Sequence, residues 1–145
     1  MRAVVQKVSE ARVKVANQVI GEINFGLLVL LGITHDDTET TAVRMADKLV
    51  KLRLFADRDG KMNRSIRDGN GSIMIVSQFT LYADTSAGAR PSFMAAAEPD
   101  HAKPLYEKVI EEVRNRGISV DTGKFGAIME VELTNDGPVT LIIDV

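Results

Sequence analysis

The segment Ser77-Gln78-Phe79-Thr80-Leu81 ends the apolar run Ile73 to Val76 with two hydroxyls and an amide. A strand that turns polar at its C-terminal end stands where sites of α/β proteins form. Ser77 and Thr80 are the hydroxyl nucleophile candidates, and Gln78 is an amide donor. A hydroxyl is a weak nucleophile without a base, and no GxSxG elbow or histidine-bearing motif accompanies these residues. They suit orientation and hydrogen bonding better than covalent catalysis; the plain alternative is a strand end with a satisfied polar edge. Some sixty residues later, Asn135-Asp136-Gly137-Pro138-Val139-Thr140 precedes the apolar run Leu141-Ile142-Ile143. Glycine permits close backbone approach, and X–Pro is the peptide link for which the cis form costs only about 0.5–1 kcal/mol. Gly137-Pro138 thus offers a rigid wall without long side chains, or simply the start of a turn. A third group, Thr122-Gly123-Lys124-Phe125-Gly126-Ala127, holds an aromatic ring between glycines. There Phe125 either stacks on a base or returns to the core. The pair Glu111-Glu112 reads as a solvated helix face.

Composition narrows the chemistry. The 145 residues fit one domain, and 45% apolar with 26% charged residues describes a core under a charged surface. The chain has no cysteine, which excludes disulfides, thiol nucleophiles and thiolate metal sites and fits a reducing cytoplasm. His35 and His101 are far apart and form no HExxH or other metal spacing. Asp57-Arg58-Asp59-Gly60 looks like a calcium loop at first, but Met62 stands where glycine is required and Asp68 at the twelfth position. No metal and no cofactor are expected. Met1 to Lys7 lacks the apolar core of a signal peptide, and Leu27 to Leu31 is too short to span a bilayer. A net charge of −2 argues against a grip on a long duplex. Any nucleic acid would be touched locally, at an end.

The elements that must position these residues follow from periodicity. Ala3–Ser9 and Ala11–Ala16 read as two strands, with a hairpin turn at Asn17-Gln18 leading into Val19–Ile23. Gly26–Ile33 reads as a strand buried on both faces. Asp36, Asp37 and Thr38 are N-cap candidates for a helix carrying Ala42, Met45, Ala46, Leu49 and Leu52–Arg53. Ser72–Phe79 reads as a strand and Ala83–Pro91 as a polar loop. Pro99 opens a second helix that tolerates Pro104 near its start and stops at Gly117. Ser119–Thr122, Ile128–Thr134 and Val139–Val145 complete the strands. The expectation is a single α/β domain over 1–145 with a mixed, largely antiparallel, barrel-like sheet and two main helices.

In order along the whole chain, these segments resemble the D-aminoacyl-tRNA deacylase family. The resemblance rests on Met1-Arg2-Ala3-Val4-Val5-Gln6-Lys7-Val8, Gly26–Gly32, Asp59-Gly60-Lys61-Met62-Asn63 and Val76–Asp84. It continues through Arg90-Pro91-Ser92-Phe93, Thr122–Ala127 and Asn135–Thr140. One position departs: Lys7 stands where the family usually has an Arg braced against the Gly-Pro loop, and Lys lacks the planar fork.

The resemblance implies a carboxylic-ester hydrolase in translational proofreading. It cleaves the ester between a D-amino acid, or glycine mischarged on tRNA-Ala, and the terminal adenosine of tRNA, and it leaves L-aminoacyl-tRNA intact. It also implies a homodimer in which Gly137-Pro138 of one subunit enters the partner's active site with the peptide bond cis, selecting by exclusion. Thr80 corresponds to the family's proposed nucleophile, with Ser77, Gln78 and Phe79 beside it. Phe125 and Met129 would line the adenosine side. Because the ester is already reactive, backbone N–H groups near Phe79 and Thr80 can hold the oxyanion while water, or the ribose 2′-hydroxyl acting on it, supplies the attack. Two alternatives stand. One is a relative that removes L-alanine through a trans Gly-Pro wall, although such relatives depart from Ser-Gln-Phe-Thr. The other is a non-enzymatic DNA- or tRNA-binding module, which predicts a basic surface; 18 Lys+Arg against 20 Asp+Glu does not give one.

Overall fold

In a computed structural model describing residues 1–145, the first strand organises the sheet. β1 (Arg2–Val15) runs antiparallel to β3 (Gly26–Gly32) along its first half and to β2 (Gln18–Ile23) along its second. β8 (Glu130–Asp144) follows β1 antiparallel from Asp144 opposite Arg2 to Glu130 opposite Lys14. β6 (Ser72–Ser77) and β7 (Ser119–Thr122) extend the sheet parallel to β3. The free edges then meet: the Glu22 amide donates to Asp121 Oδ2 at 2.8 Å. A Cβ on Gly21 would stand 2.6 Å from the Thr122 carbonyl oxygen, so glycine is what lets β2 lie on β7. The mixed sheet is nearly closed into a barrel.

β3 is buried on both faces because it separates two cores. Leu27, Val29 and Leu31 pack with Ile73 and Ile75 under the helices, whereas Leu28 joins Val8, Val13, Ile23 and Met74 inside the barrel. The helices are α1 (Glu39–Lys51) and α2 (Pro99–Asn115). Their buried stripes, Ala42, Met45, Ala46 and Leu49 on one and Ala102, Leu105, Val109 and Val113 on the other, recur at the spacing that places them on one face. Thr38 is the N-cap of α1, with Thr41 returning the bond to the Thr38 amide. Asp37, an N-cap candidate by sequence, is instead buried. It takes the Met1 amine at 2.6 Å and the Thr34 amide at 2.8 Å.

Several boundaries differ from the sequence expectation. The two expected opening strands are one continuous strand, because β8 pairs with β1 past the polar Ser9-Glu10 step. The hairpin turn is Ala16-Asn17, both in the left-handed region with φ of 49° and 63°, and β2 starts at Gln18. Helix α1 ends at Lys51, and Arg53 begins an unexpected hairpin, β4 (Arg53–Ala56) with β5 (Met62–Ser65). Its turn is organised by Asp57, which accepts from the amides of Asp59 and Lys61 and from Asn63 Nδ2. β6 stops at Ser77, and the chain coils into a short 3-10 helix, Phe79–Tyr82. The expected last two strands are a single β8 interrupted by an outward loop.

Candidate active site

The Ser77–Thr80 segment leaves the sheet where β3 and β6 end together. The Gln78 amide donates to the Leu31 carbonyl at 2.8 Å, and the next residues form the 3-10 helix. A Cβ on Gly32 would lie 3.0 Å from the Gln78 oxygen and 3.1 Å from Leu81 Cβ, so the missing side chain lets this helix press on β3. Arg2 reaches across to the Leu81 carbonyl at 3.4 Å, with its guanidinium 5.5 Å from the Tyr82 ring centre.

A cavity of about 370 Å³ opens beside this turn, lined in part by Ser77, Gln78, Phe79, Phe93, Phe125 and Gly126. Its floor is apolar, from Leu31, Ile33, Ala97 and Ala102. Phe79 and Phe93 meet edge to face at 5.1 Å between ring centres. Phe125 is half-buried and packs on Tyr106 at 5.7 Å, so it belongs both to the cavity wall and to the margin of the core. Tyr106 in turn donates its hydroxyl to the Ile75 carbonyl at 2.8 Å, which ties this wall to β6. Met129 does not reach the cavity. It packs where a Cβ on Gly123 would stand 2.6 Å from its sulfur, and that sulfur accepts from the Lys124 amide at 3.3 Å. Met129 thus shapes the loop that presents Phe125.

The hydrogen bonding around Thr80 bears on its chemistry. Gln78 Nε2 donates to Thr80 Oγ1. The hydroxyl is therefore oriented by an amide, which cannot take its proton. His35 Nε2 is engaged with the Met94 carbonyl and His101 Nε2 with the Asp37 carbonyl, and neither ring is hydrogen-bonded to Thr80. The Tyr82 phenol is pushed up to about 12, chiefly by burial, and stays protonated at neutral pH. Phe79 and Thr80 open the 3-10 helix, where no preceding turn takes up their N–H groups.

Gly137 and Pro138 lie elsewhere in the chain. Asn135 is opposite Val8 and Thr140 opposite Gln6, so the four residues Asp136 to Val139 face Lys7 alone. The surplus forms a loop whose tip, Asp136 to Pro138, is exposed, with the Gly137–Pro138 bond cis. Lys7 is paired with Asp136 at 2.9 Å, and Lys7 lies opposite Leu27, whereas Ser77 lies opposite Leu31. That separates the loop from Ser77 by about 13 Å along the strand direction, at 3.3 Å per residue, with β1 and β3 between β8 and β6. The structure therefore gathers Ser77, Gln78, Phe79, Thr80 and Phe125 at one end of the sheet. It leaves Lys7, Gly137 and Pro138 at the other.

A family model described as D-Tyr-tRNA(Tyr) deacylase matches residues 4–144. The chain belongs to that family. Curated relatives agree: a D-aminoacyl-tRNA deacylase of Thermus aquaticus is 60% identical across 99% of this chain and 95% of its own length. One from Anoxybacillus flavithermus is 57% identical across 99% of both. Among solved structures, a c-Myc DNA unwinding element binding protein superposes with a TM-score of 0.94 at 39% identity, covering 100% of this chain and 99% of its own. A probable eukaryotic D-amino acid tRNA deacylase has the same fold, with a TM-score of 0.85 at 18% identity over 99% of this chain and 98% of its own. Like the other members of the deacylase family, the chain is an enzyme of the hydrolase class. No helix is long and apolar enough to cross a membrane.

Sequence reasoning treated Asn135 only as part of a motif. It also missed Phe93 and Gly126 as cavity walls and Tyr106 as the support of Phe125. For Phe93 the signal was present in Arg90-Pro91-Ser92-Phe93, an aromatic ending a polar loop.

Proposed function

We propose that the chain hydrolyses the ester of D-aminoacyl-tRNA, and glycyl-tRNA mischarged on tRNA-Ala. Gly137 and Pro138 of a second copy complete each site and exclude L-aminoacyl groups. The observation that carries this reading is the separation within one chain of the Ser77–Thr80 turn from the exposed Gly137-Pro138 loop. A loop too far from its own site to line it, yet exposed for contact, suits insertion into a neighbour's site. Apolar side chains left in water support a second copy: Ile142 on β8 is 71% exposed, and Phe79 at the cavity mouth is 57% exposed. In an isologous pair, each loop would meet the other copy's cavity mouth.

The chemistry asks little of side chains. The 3′-terminal adenosine fits an apolar cavity walled by Phe125 and Phe93, where a base can stack. The N–H groups of Phe79 and Thr80 stabilise the oxyanion that forms as water attacks the ester carbon. Thr80, oriented by Gln78, positions the substrate and does not carry the acyl group. The carbonyls of the partner's Gly137-Pro138 accept from the substrate ammonium, and the loop fills the space an L side chain would need.

The test is ester loss from matched D- and L-aminoacyl-tRNA, followed against protein concentration with the oligomeric state measured in parallel. Rapid loss of the D ester alone, in proportion to dimer, is expected. Full activity in a monomeric sample would sink the shared site. Equal loss of both esters would sink chiral selection. Retention of both with tight binding of DNA would favour the alternative suggested by the name of the DNA-binding neighbour.

A further inference from the structure

We infer that Asn135 is a positioning residue that clasps the Gly137-Pro138 loop by acting as a stand-in strand for Val139; its catalytic consequence rests on the proposed deacylase reading. Where β8 departs from β1, the peptide groups of Asp136 to Val139 lose their register partners, because only Lys7 lies opposite. Asn135 replaces what is lost. Its Oδ1 accepts from the Val139 amide at 2.8 Å, and its Nδ2 donates to the Val139 carbonyl at 3.2 Å. A side-chain amide thus offers both backbone groups of one residue what a neighbouring peptide would offer in a ladder. Nδ2 also donates to Thr140 Oγ1 at 3.1 Å, and Gln6 Nε2 reaches the same oxygen at 3.3 Å, which fastens the point where β8 rejoins β1.

The clasp closes a ring around the two exposed residues at the tip. Asn135 and Val139 are half-buried, Val139 packs against the main core, and Gly137 and Pro138 are exposed between them. Gly137 is built for this closure. A Cβ there would stand 2.7 Å from the Val139 nitrogen, the same atom that Asn135 Oδ1 holds. Loop geometry therefore converges on one N–H group, set from one side by the Asn135 oxygen and from the other by the bare Gly137 Cα. Aspartate would keep the acceptor and lose both donors, and alanine would lose all three bonds.

Two readouts test the clasp. Amide hydrogen exchange at Val139 should be slow in the unmodified protein, fast in Asn135→Ala and intermediate in Asn135→Asp, whether or not any substrate has been found. In deacylation of D-aminoacyl-tRNA, Asn135→Ala should lower kcat by about 10²-fold, the scale of a 1 Å misplacement, with KM changed by less than about twofold. Asn135→Asp should lie between. Exchange at Val139 that is equally slow in Asn135→Ala would overturn the clasp, and fast exchange with unchanged kcat would overturn its positioning role in the reaction. If Asn135→Ala does not fold, Asn135→Asp carries both comparisons. An unmodified protein inactive on D-aminoacyl-tRNA would remove the deacylase reading and leave the exchange comparison to decide the clasp.

Discussion

The Lys7 ammonium lies 2.9 Å from the carboxylate of Asp136, the residue before Gly137. The first strand therefore grips the loop that the last strand throws out, and it does so from a side chain only 17% exposed. The same ammonium stands 5.9 Å from the centre of the Phe55 ring, which joins the loop to the β4–β5 hairpin. A partly exposed ion pair is worth up to about 1 kcal/mol, and 1.4 kcal/mol is about tenfold in rate. Lys7→Met should then lower D-aminoacyl-tRNA deacylation by up to about fivefold without unfolding the protein. Lys7→Arg should match the unmodified protein, since a guanidinium reaches Asp136 equally well. Steady-state rates of the two variants check this; a Lys7→Met enzyme at full rate would make the pair incidental.

Thr80 is the side chain at the site most easily taken for a nucleophile. Its Oγ1 receives a hydrogen bond from Gln78, and neither histidine is hydrogen-bonded to it. Thr80→Ala should therefore slow single-turnover deacylation by less than about 10²-fold, the low end of the loss for one oxyanion-hole donor. A trapped acyl ester on Thr80 would establish covalent catalysis instead, and complete inactivity of a folded Thr80→Ala protein would overturn the backbone mechanism.

Acid should weaken the link between the two helices. Arg116 Nε lies 2.6 Å from Asp47 of α1, and its Nη1 lies 2.6 Å from Glu112 of α2. Hydrogen bonding to Arg116, helped by Lys51 on Asp47 and by Lys108 on Glu112, holds both carboxyls below their ordinary values. With the folded value depressed, the unfolded chain binds more protons in the window between. Stability from this network is thus complete above the unfolded carboxylate range of about 4 and is lost as pH falls through the folded values. Urea unfolding of the unmodified protein and of Arg116→Met should differ at neutral pH, and the difference should shrink as pH falls below the unfolded carboxylate range of about 4. A difference that persists unchanged in acid would mean Arg116 acts through packing.

What the sequence reveals and hides follows physical lines. Helix α1 is legible because Ala42, Met45, Ala46 and Leu49 recur at helical spacing behind a Thr cap. The β4–β5 hairpin is not, because Met62-Asn63-Arg64-Ser65 is largely exposed and polar, and its turn is held by one side chain, Asp57. β8 looks like two strands because Asn-Asp-Gly-Pro is a turn signal, and only its ladder with β1 shows it to be one. Ser77, Gln78, Phe79 and Thr80 are legible as a polar strand end. That Phe125 joins them and Gly137 does not depends on register, which periodicity does not encode. Asn135 is hidden for a related reason: an asparagine before a turn is ordinary, and its pairing with Val139 exists only once the loop has left the sheet.

Gly137 carries the sharpest expectation. Its φ of +153° lies where side chains are disfavoured, and a Cβ would stand 2.7 Å from both the Val139 nitrogen and Val139 Cγ2. A backbone atom cannot yield as a flexible side chain can, so Gly137→Ala must displace the loop, breaking the Asn135–Val139 bond or turning the tip. The loop is exposed and outside the core, so the melting temperature should change little. Activity on D-aminoacyl-tRNA should fall by more than about 10²-fold, because a 1 Å error in a positioning element costs that much. It should fall further than in Thr80→Ala, which changes a side chain already tied to Gln78 and leaves the backbone donors in place. Parallel single-turnover assays on the two variants, each shown to be folded and dimeric, decide the ranking. If Thr80→Ala proves the more damaging, the chemistry resides in the hydroxyl, and the Gly137-Pro138 loop is a bystander to the reaction.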